Sequence, residues 1–230
     1  MHIEFGKYGK QEGRNMVHFK WLGQACFEIR NSKIIVTDPH DGEGVGLEEP
    51  GVKGDVVTVS HDHFDHSAGV DIVKKKDTEV VKEPGSRNIE GINVEGFDSY
   101  HDKAEGSKRG KNTIYKFDLE GFKIVHLGDL GHLLSEEKVN EIKPVDILLI
   151  PVGGNYTIDG EEALETVKQL DPEITIPMHY KVPGLTVDIS SDDEFIQAAM
   201  QEGYVVSKED TAEIDELPEK KKVIKIQCKR

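Results

Sequence analysis

The sequence predicts a layered α/β fold in which two β-sheets pack together and helices cover the outside. Three observations support this prediction. Short runs rich in β-branched residues dominate the first half, strands alternate with helices in the second half, and the clearest helical segment repeats its apolar residues with a period near 3.6. Hydrophobic residues make up 36% of the 230 residues, enough to build a core. We therefore expect one domain spanning residues 1–230.

Strands are predicted where short apolar or β-branched runs end at turn-forming residues. Gly121 separates two such runs and predicts a hairpin. The predicted strands cover residues 17–21, 26–29, 33–37, 55–60, 92–100, 112–119, 122–127, 146–151, 174–178 and 222–227.

Helices are predicted for residues 134–142, 160–170 and 190–202, with a shorter one after Ser67. Ser135 followed by two glutamates is typical of a helix start, because acidic side chains favour its positive end. The Gly- and Glu-rich residues 42–54 predict a loop. The lysine run at residues 74–76 is interpreted as the solvated end of a helix.

A dense group of potential metal ligands follows the predicted strand at residues 55–60. Strand alternation alone would send neighbouring side chains to opposite sides, so the chain must turn for them to converge. Imidazole nitrogens and carboxylate oxygens suit zinc, manganese, iron or nickel. The alternative interpretation is a solvated loop that happens to be rich in histidine. The four side chains concerned are His61, His63, Asp65 and His66.

Three further ligand-type residues follow predicted strands downstream. His101 comes directly after residues 92–100, and His179 directly after residues 174–178. Asp129 comes two residues after the strand that ends at residue 127. Each ion of a two-metal site needs about three or four protein ligands. The segment His61–His66 alone has too few, and these three residues complete the set. Ligands at successive strand ends indicate a site at one edge of a sheet.

The pattern His61-x-His63-x-Asp65-His66, followed by His101, Gly128-Asp129 and His179, resembles the metallo-β-lactamase superfamily over nearly the whole chain. Within it, the chain resembles the small hydrolases similar to L-ascorbate-6-phosphate lactonase. The segments that carry this second resemblance are WLGQA at 21–25, TDP at 37–39, PVGG at 151–154 and YT at 156–157. The resemblance implies an αββα sandwich of two mixed β-sheets flanked by helices.

The resemblance also implies a role for each ligand and a cofactor of two divalent metal ions, zinc first, with manganese, iron or nickel as alternatives. A hydroxide between the ions would be the nucleophile that attacks a small anionic ester, lactone or phosphodiester. The seven implied ligands form two groups with one shared residue: His61, His63 and His101 for one ion, Asp65, His66 and His179 for the other, and Asp129 bridging both.

Other polar residues have weaker candidate roles. Asp38 ends a strand and would orient a metal-bound histidine, or simply start a turn. His132 could protonate a leaving group, or lie in a surface turn. Asn155 follows two glycines and could polarise a substrate oxygen, or belong to an ordinary loop. His126 is interpreted as a core or supporting histidine, and Tyr180 as a residue that lines the site. The candidate catalytic residues are therefore Asp65, Asp129, His132 and Asn155.

Three other functions are weighed against this hydrolase. The first is an RNA-cleaving nuclease of the same fold. The second is a di-iron oxidoreductase of the flavodiiron type, but those proteins typically carry glutamate at the position of His63 and need a separate flavin domain. The third is a non-enzymatic scaffold, but degeneration usually removes ligands and all seven are present here.

Charge and composition restrict the partners. The formal net charge of −15 opposes binding to a phosphate backbone at long range, which argues against nucleic acid as a partner. No apolar run is long enough for a membrane helix, and residues 1–13 lack the apolar core of a signal peptide, so a cytoplasmic location is expected. Cys26 is expected in the core, and it forms no disulfide framework with Cys228. A small anionic substrate is the expected partner. The sequence does not determine whether the chain forms a homo-oligomer.

Overall fold

The computed structural model describes residues 16–228. The polar segment 1–13 and His2, for which no role was predicted, lie outside the described residues. The described strands are β1 (Val17–Gly23), β2 (Cys26–Arg30), β3 (Ile34–Thr37), β4 (Gly54–Thr58), β5 (Lys74–Val81), β6 (Gly85–Ile89), β7 (Ile92–Tyr100), β8 (Lys111–Leu119), β9 (Phe122–His126), β10 (Ile147–Pro151), β11 (Ile174–Met178), β12 (Val205–Glu209), β13 (Ala212–Ile214) and β14 (Lys222–Ile226).

The α-helices are mostly short. They are α1 (Phe64–Ser67), α2 (Val70–Val73), α3 (Glu136–Ile142), α4 (Gly160–Leu170) and α5 (Asp193–Gln201). The side chain of Ser135 accepts a hydrogen bond from the backbone N–H of Lys138, which fixes the start of α3 where the sequence predicts it. None of the helices in residues 16–228 is long and apolar enough to cross a membrane.

The strands form two mixed sheets, as predicted. A six-stranded sheet has the order β13-β1-β2-β3-β4-β5, with antiparallel pairs up to β3 and parallel pairs from β3 to β5. An eight-stranded sheet has the order β12-β14-β11-β10-β9-β8-β7-β6, parallel from β12 to β9 and antiparallel beyond. The hairpin predicted at Gly121 joins β8 to β9.

The main hydrophobic core lies between the sheets and continues under the helices. Phe19 and Phe27 from the six-stranded sheet belong to the same buried cluster as Phe117 from the eight-stranded sheet. Tyr115 reaches across, because its hydroxyl lies 3.1 Å from the carbonyl oxygen of Val59. Cys26 is fully buried in a second cluster on the other face of β2, which confirms its predicted place in a core.

Four strands escape prediction. Lys74 is the C-cap of helix α2, which agrees with the predicted helix end, but the lysines at residues 74–76 also begin strand β5. Strand β5 forms an edge of the six-stranded sheet, where lysines are common because they hinder pairing with another chain. Strands β6, β12 and β13 also have partly exposed residues and short or polar sequences, so they lack the apolar run that marks a central strand.

Candidate metal centre

The segment with four candidate ligands turns directly after strand β4, as predicted. His63 has extended backbone angles and precedes helix α1, while Asp65 and His66 lie within that helix and are buried. The backbone N–H of His66 donates to the carbonyl oxygen of His63 at 3.0 Å, which closes the turn. This helical turn, which strand alternation could not provide, brings the neighbours Asp65 and His66 to the same site.

The first predicted group of ligands comes together in the structure. The ligand atoms of His61, His63 and His101 all lie within 4.8 Å of one another. Nε2 of His61 is 3.0 Å from Nδ1 of His63, and the rings of His61 and His101 are 4.7 Å apart at their centroids. His63 is exposed whereas His101 is buried, so this group lies on the solvent side of the site.

The second predicted group also converges. The ligand atoms of Asp65, His66 and His179 lie within 4.8 Å of one another, and all three side chains are buried. Gln24, whose role the sequence did not reveal, donates from Nε2 to Oδ2 of Asp65 at 3.0 Å and lies 3.4 Å from Nε2 of His179. Gln24 and His179 both have positive φ angles, 49° and 51°, a conformation that non-glycine residues adopt mainly where the surroundings impose it.

Asp129 lies between the two groups. Its Oδ2 is 3.2 Å from Nε2 of His66 and 3.3 Å from Nε2 of both His101 and His179. Oδ1 of Asp129 and Nε2 of His66 are buried and have no hydrogen-bond partner among the described residues. Buried polar atoms normally have partners, so these atoms and this donor set fit a bound divalent cation.

Asp38 contacts a candidate ligand, which confirms the predicted contact. Its Oδ2 is 3.0 Å from Nδ1 of His66, and its two oxygens accept hydrogen bonds at 2.6 Å from the backbone N–H and the hydroxyl of Ser60. Asp38 also lies within 4.8 Å of ligand atoms of His61 and His66. Because its oxygens already accept these bonds, we interpret Asp38 as the residue that orients His66.

Burial and neighbouring charges shift the pKa values of His61 and His66 in opposite directions. Burial, together with the neighbouring His66, lowers the pKa of His61 to about 3. Burial opposes the charged form of His66, but the nearby carboxylates of Asp129, Asp38 and Asp65 outweigh it and raise its pKa above the usual value. Burial likewise opposes the charged form of Asp129, yet His179 and His66 hold the pKa of its carboxyl well below the ordinary range. Protons and cations therefore compete for the same nitrogens.

Asn112 supports the candidate site in a way that sequence reasoning missed. Its Oδ1 accepts the backbone N–H of Asp129 at 2.9 Å, and its Nδ2 donates to Oγ of Ser99 and to the carbonyl oxygen of Leu127. The side chain is buried in strand β8 and fixes the backbone that carries Asp129. A single asparagine near the start of a strand has no distinctive pattern, whereas Gln24 stands within the WLGQA segment and could have been noticed there.

The two weaker catalytic candidates, His132 and Asn155, both form hydrogen bonds with backbone groups. His132 lies in a turn, where its Nε2 accepts the backbone N–H of Tyr100 and its Nδ1 lies 2.8 Å from the carbonyl oxygen of Leu133. Both nitrogens are thus engaged with backbone groups, and its catalytic role stays a prediction. Asn155 is exposed and donates from Nδ2 to the carbonyl oxygen of Asp188, and its role also stays a prediction.

Two aromatic residues near the ligands belong to the core. His126 is fully buried and its Nε2 lies 2.8 Å from the carbonyl oxygen of Ala25, which confirms the predicted core position. The prediction that Tyr180 lines the site is wrong. Its ring packs on Trp21 with centroids 4.6 Å apart, and the residue belongs to the main buried cluster.

Comparisons with known proteins agree with this geometry. A sequence profile of the β-lactamase superfamily domain matches residues 18–179. A protein of Thermoplasma acidophilum named as a metal-dependent hydrolase is 31% identical over 201 residues, which cover 77% of this chain and 88% of that protein. A protein of the same description from Methanocaldococcus jannaschii is 31% identical and covers 81% of this chain and 94% of its own length.

Solved structures share the fold. A crystal structure from Thermotoga maritima, described as a candidate zinc-dependent hydrolase of the metallo-β-lactamase superfamily, is 36% identical. It superposes with a TM-score of 0.75, covering 91% of this chain and 98% of that one. An isothiocyanate hydrolase from Delia radicum gut bacteria, 13% identical with a TM-score of 0.68, is similar in fold alone. The profile match and the relatives together place this chain in the β-lactamase superfamily, among its metal-dependent hydrolases.

Proposed function

We propose that this protein hydrolyses a small anionic ester, lactone or phosphodiester with two divalent cations, zinc first, held by the seven predicted ligands. The observation that carries the proposal is the position of Asp129. One carboxylate oxygen lies within 3.3 Å of three imidazole nitrogens that come from separate segments of the chain. A carboxylate at the meeting point of two His-rich groups can share its two oxygens between two cations.

The chain's own residues would divide the work as follows. The three histidines of the first group would hold one cation, and the second group, which contains Asp65, would hold the other. Asp129 would be shared by both cations. When bound, such cations lower the pKa of water and polarise the oxygen of the bond that breaks. Asp38 orients His66, and Gln24 fixes Asp65, so that both point into the site before a cation arrives.

Contact with the substrate is proposed for Asn155. Its Nδ2 donates to the carbonyl oxygen of Asp188, and within residues 16–228 the carboxamide oxygen has no hydrogen bond and can face a substrate. His132 would need to break a contact with backbone before it could transfer a proton. We therefore place Asn155 ahead of His132 as a residue of the reaction.

Metal stoichiometry tests the site. Elemental analysis of the reconstituted protein should give about two equivalents of divalent metal per chain. Asp129→Asn should weaken both cations and abolish turnover, because it removes charge shared by both groups. Asp65→Asn should weaken one cation only. Asp98→Asn is the matched control, since Asp98 is an exposed aspartate of strand β7 and is not one of the predicted ligands.

A substrate panel tests the reaction. The metal-loaded protein should hydrolyse at least one small anionic ester, lactone or phosphodiester far faster than single-stranded RNA. Saturation at one equivalent of metal, or wild-type turnover in Asp129→Asn, would contradict the two-cation proposal. Preferential cleavage of long RNA would replace the small-substrate proposal with the nuclease alternative.

A further inference from the structure

The loop that follows the candidate ligand His101 is tightly organised. Asp102 is buried, and its carboxylate accepts backbone hydrogen bonds of 2.7–3.1 Å from Ala104, Gly106, Lys108 and Arg109. The backbone N–H of His101 donates to the carbonyl oxygen of Gly110 at 3.1 Å, so the loop closes on the ligand where it began. The position of Arg109 is therefore fixed relative to His101.

Arg109 extends from this loop onto a second segment of the site. The central carbon of its guanidinium lies 4.6 Å from the centroid of the Tyr156 ring. Tyr156 follows Gly153, whose Cα approaches the carbonyl of the candidate ligand His179 so closely that a Cβ there would lie 2.2 Å from the oxygen. The Arg109–Tyr156 pair thus links the loop that begins at one candidate ligand to the segment packed on another.

The guanidinium has no carboxylate partner within the part of the chain that the structure describes. No residue of 16–228 forms an ion pair with Arg109, whereas Lys103 of the same loop pairs with Glu162. The side chain is half-buried, and the Tyr156 ring covers one face of its planar group. An arginine held on an aromatic face keeps its N–H groups in one plane and available to an anion. Within the described residues, Arg109 is therefore a cation without a carboxylate partner on the loop that follows His101, in a chain of net charge −15.

We propose that Arg109, supported by the ring of Tyr156, binds the anionic group of the substrate, a carboxylate or a phosphate. This inference rests on the proposed function and names the residue that would select an anionic substrate over a neutral one. The planar fork of arginine can form two parallel hydrogen bonds with either group, and a lysine cannot. Tyr156 limits the directions in which the fork can point.

A matched pair of substrates tests the inference by activity. Mono-(4-nitrophenyl) succinate carries a carboxylate, and 4-nitrophenyl butyrate does not. Arg109→Gln should lower kcat/KM for the anionic ester by about 10- to 100-fold, the size of a lost hydrogen-bonded charge contact, and change the neutral ester by less than about twofold. Arg109→Lys should recover only part of the loss. Lys108→Gln, which removes an exposed charge from the same loop, should leave the preference unchanged.

A binding measurement tests it without turnover. Calorimetric titration of the metal-loaded protein with inorganic phosphate should show about 10-fold weaker binding in Arg109→Gln than in the wild type or Lys108→Gln. Tyr156→Leu should weaken phosphate binding less than Arg109→Gln, and Tyr156→Phe should match the wild type because the ring remains.

The two proposals fail in different ways. Equal phosphate affinity in Arg109→Gln and the wild type, or an unchanged preference between the two esters, would overturn the role of Arg109. Arg109-dependent phosphate binding in a metal-loaded protein that hydrolyses nothing in the substrate panel would support Arg109 and overturn the proposed function.

Discussion

Buried polar side chains around the ligands determine where the ligands point. Asp38 could be predicted, because an aspartate between a strand end and a proline stands in a segment that resembles a known family. Asn112 could not, since its role depends on a contact between strand β8 and the loop after β9, which no local pattern reveals. The seven candidate ligands were predictable because their chemistry is rare at such density, whereas the residues that hold them in place are common types with no distinctive local pattern.

Replacing Asn112 by alanine tests this support. Asn112→Ala leaves the backbone N–H of Asp129 and the carbonyl of Leu127 buried without their partner, so we expect a loss of about 1–3 kcal/mol in the free energy of unfolding. Metal affinity should fall as well, because Asp129 loses its fixed position. Urea denaturation and metal titration measure the two effects. Asn140→Ala, at an exposed position of helix α3, should change neither.

At the scale of elements, central strands were predictable and edge strands were not. Strands β7 and β11 have the predicted bounds, and each ends directly before a candidate ligand. Strand β5 contains exposed lysines and resembles a surface helix by composition. Helices α1 and α2 have four residues each, which is too short for an apolar period to show, although α1 carries two of the ligands.

The turn after β9 depends on a close backbone approach. A Cβ on Gly131 would lie 2.3 Å from the carbonyl carbon of His101, so the two loops touch backbone to backbone. Gly131→Ala should push His101 away from Asp129 and lower metal affinity by about 10-fold or more, the kind of loss expected when a supporting contact of a ligand is removed. Metal titration followed by circular dichroism measures affinity and fold together.

Gly51→Ala is the matched control for this prediction, because a Cβ at Gly51 meets nothing within 4 Å. It should bind metal as the wild type does. If Gly131→Ala also kept wild-type affinity, the contact between the two loops would have no part in positioning His101.

At the scale of the whole molecule, two buried histidines make stability depend on pH, because each accepts a backbone hydrogen bond that requires the neutral imidazole. Nδ1 of His126 accepts the backbone N–H of Gly128, and Nδ1 of His40 accepts that of Gly42. Burial lowers the pKa of both imidazoles below the usual value. The unfolded chain therefore binds more protons than the folded chain below about pH 6.5, so stability is present above that pH and is lost as the pH falls.

The free energy of unfolding of the metal-free protein should therefore decrease between pH 7.5 and 5.5, although the raised pKa of His66 opposes part of the effect. His126→Gln retains a donor and an acceptor but cannot titrate. It should make this pH dependence shallower, because the burial that lowers the pKa of His126 would no longer act on a titrating group. Urea denaturation across this range measures the slope. A slope identical to that of the wild type would exclude His126 as a source of the acid sensitivity.

The candidate ligands do not all belong to one sheet. The segment from His61 to His66 follows β4 of the six-stranded sheet, while His101, Asp129 and His179 follow strands of the eight-stranded sheet. Coordination by these residues would cross-link the sheets as a disulfide cross-links two segments, so the free energy of metal binding would add to the stability of the sandwich. A chelator would then destabilise the fold, and a substitution that opens a cavity between the sheets would weaken metal binding without touching a candidate ligand.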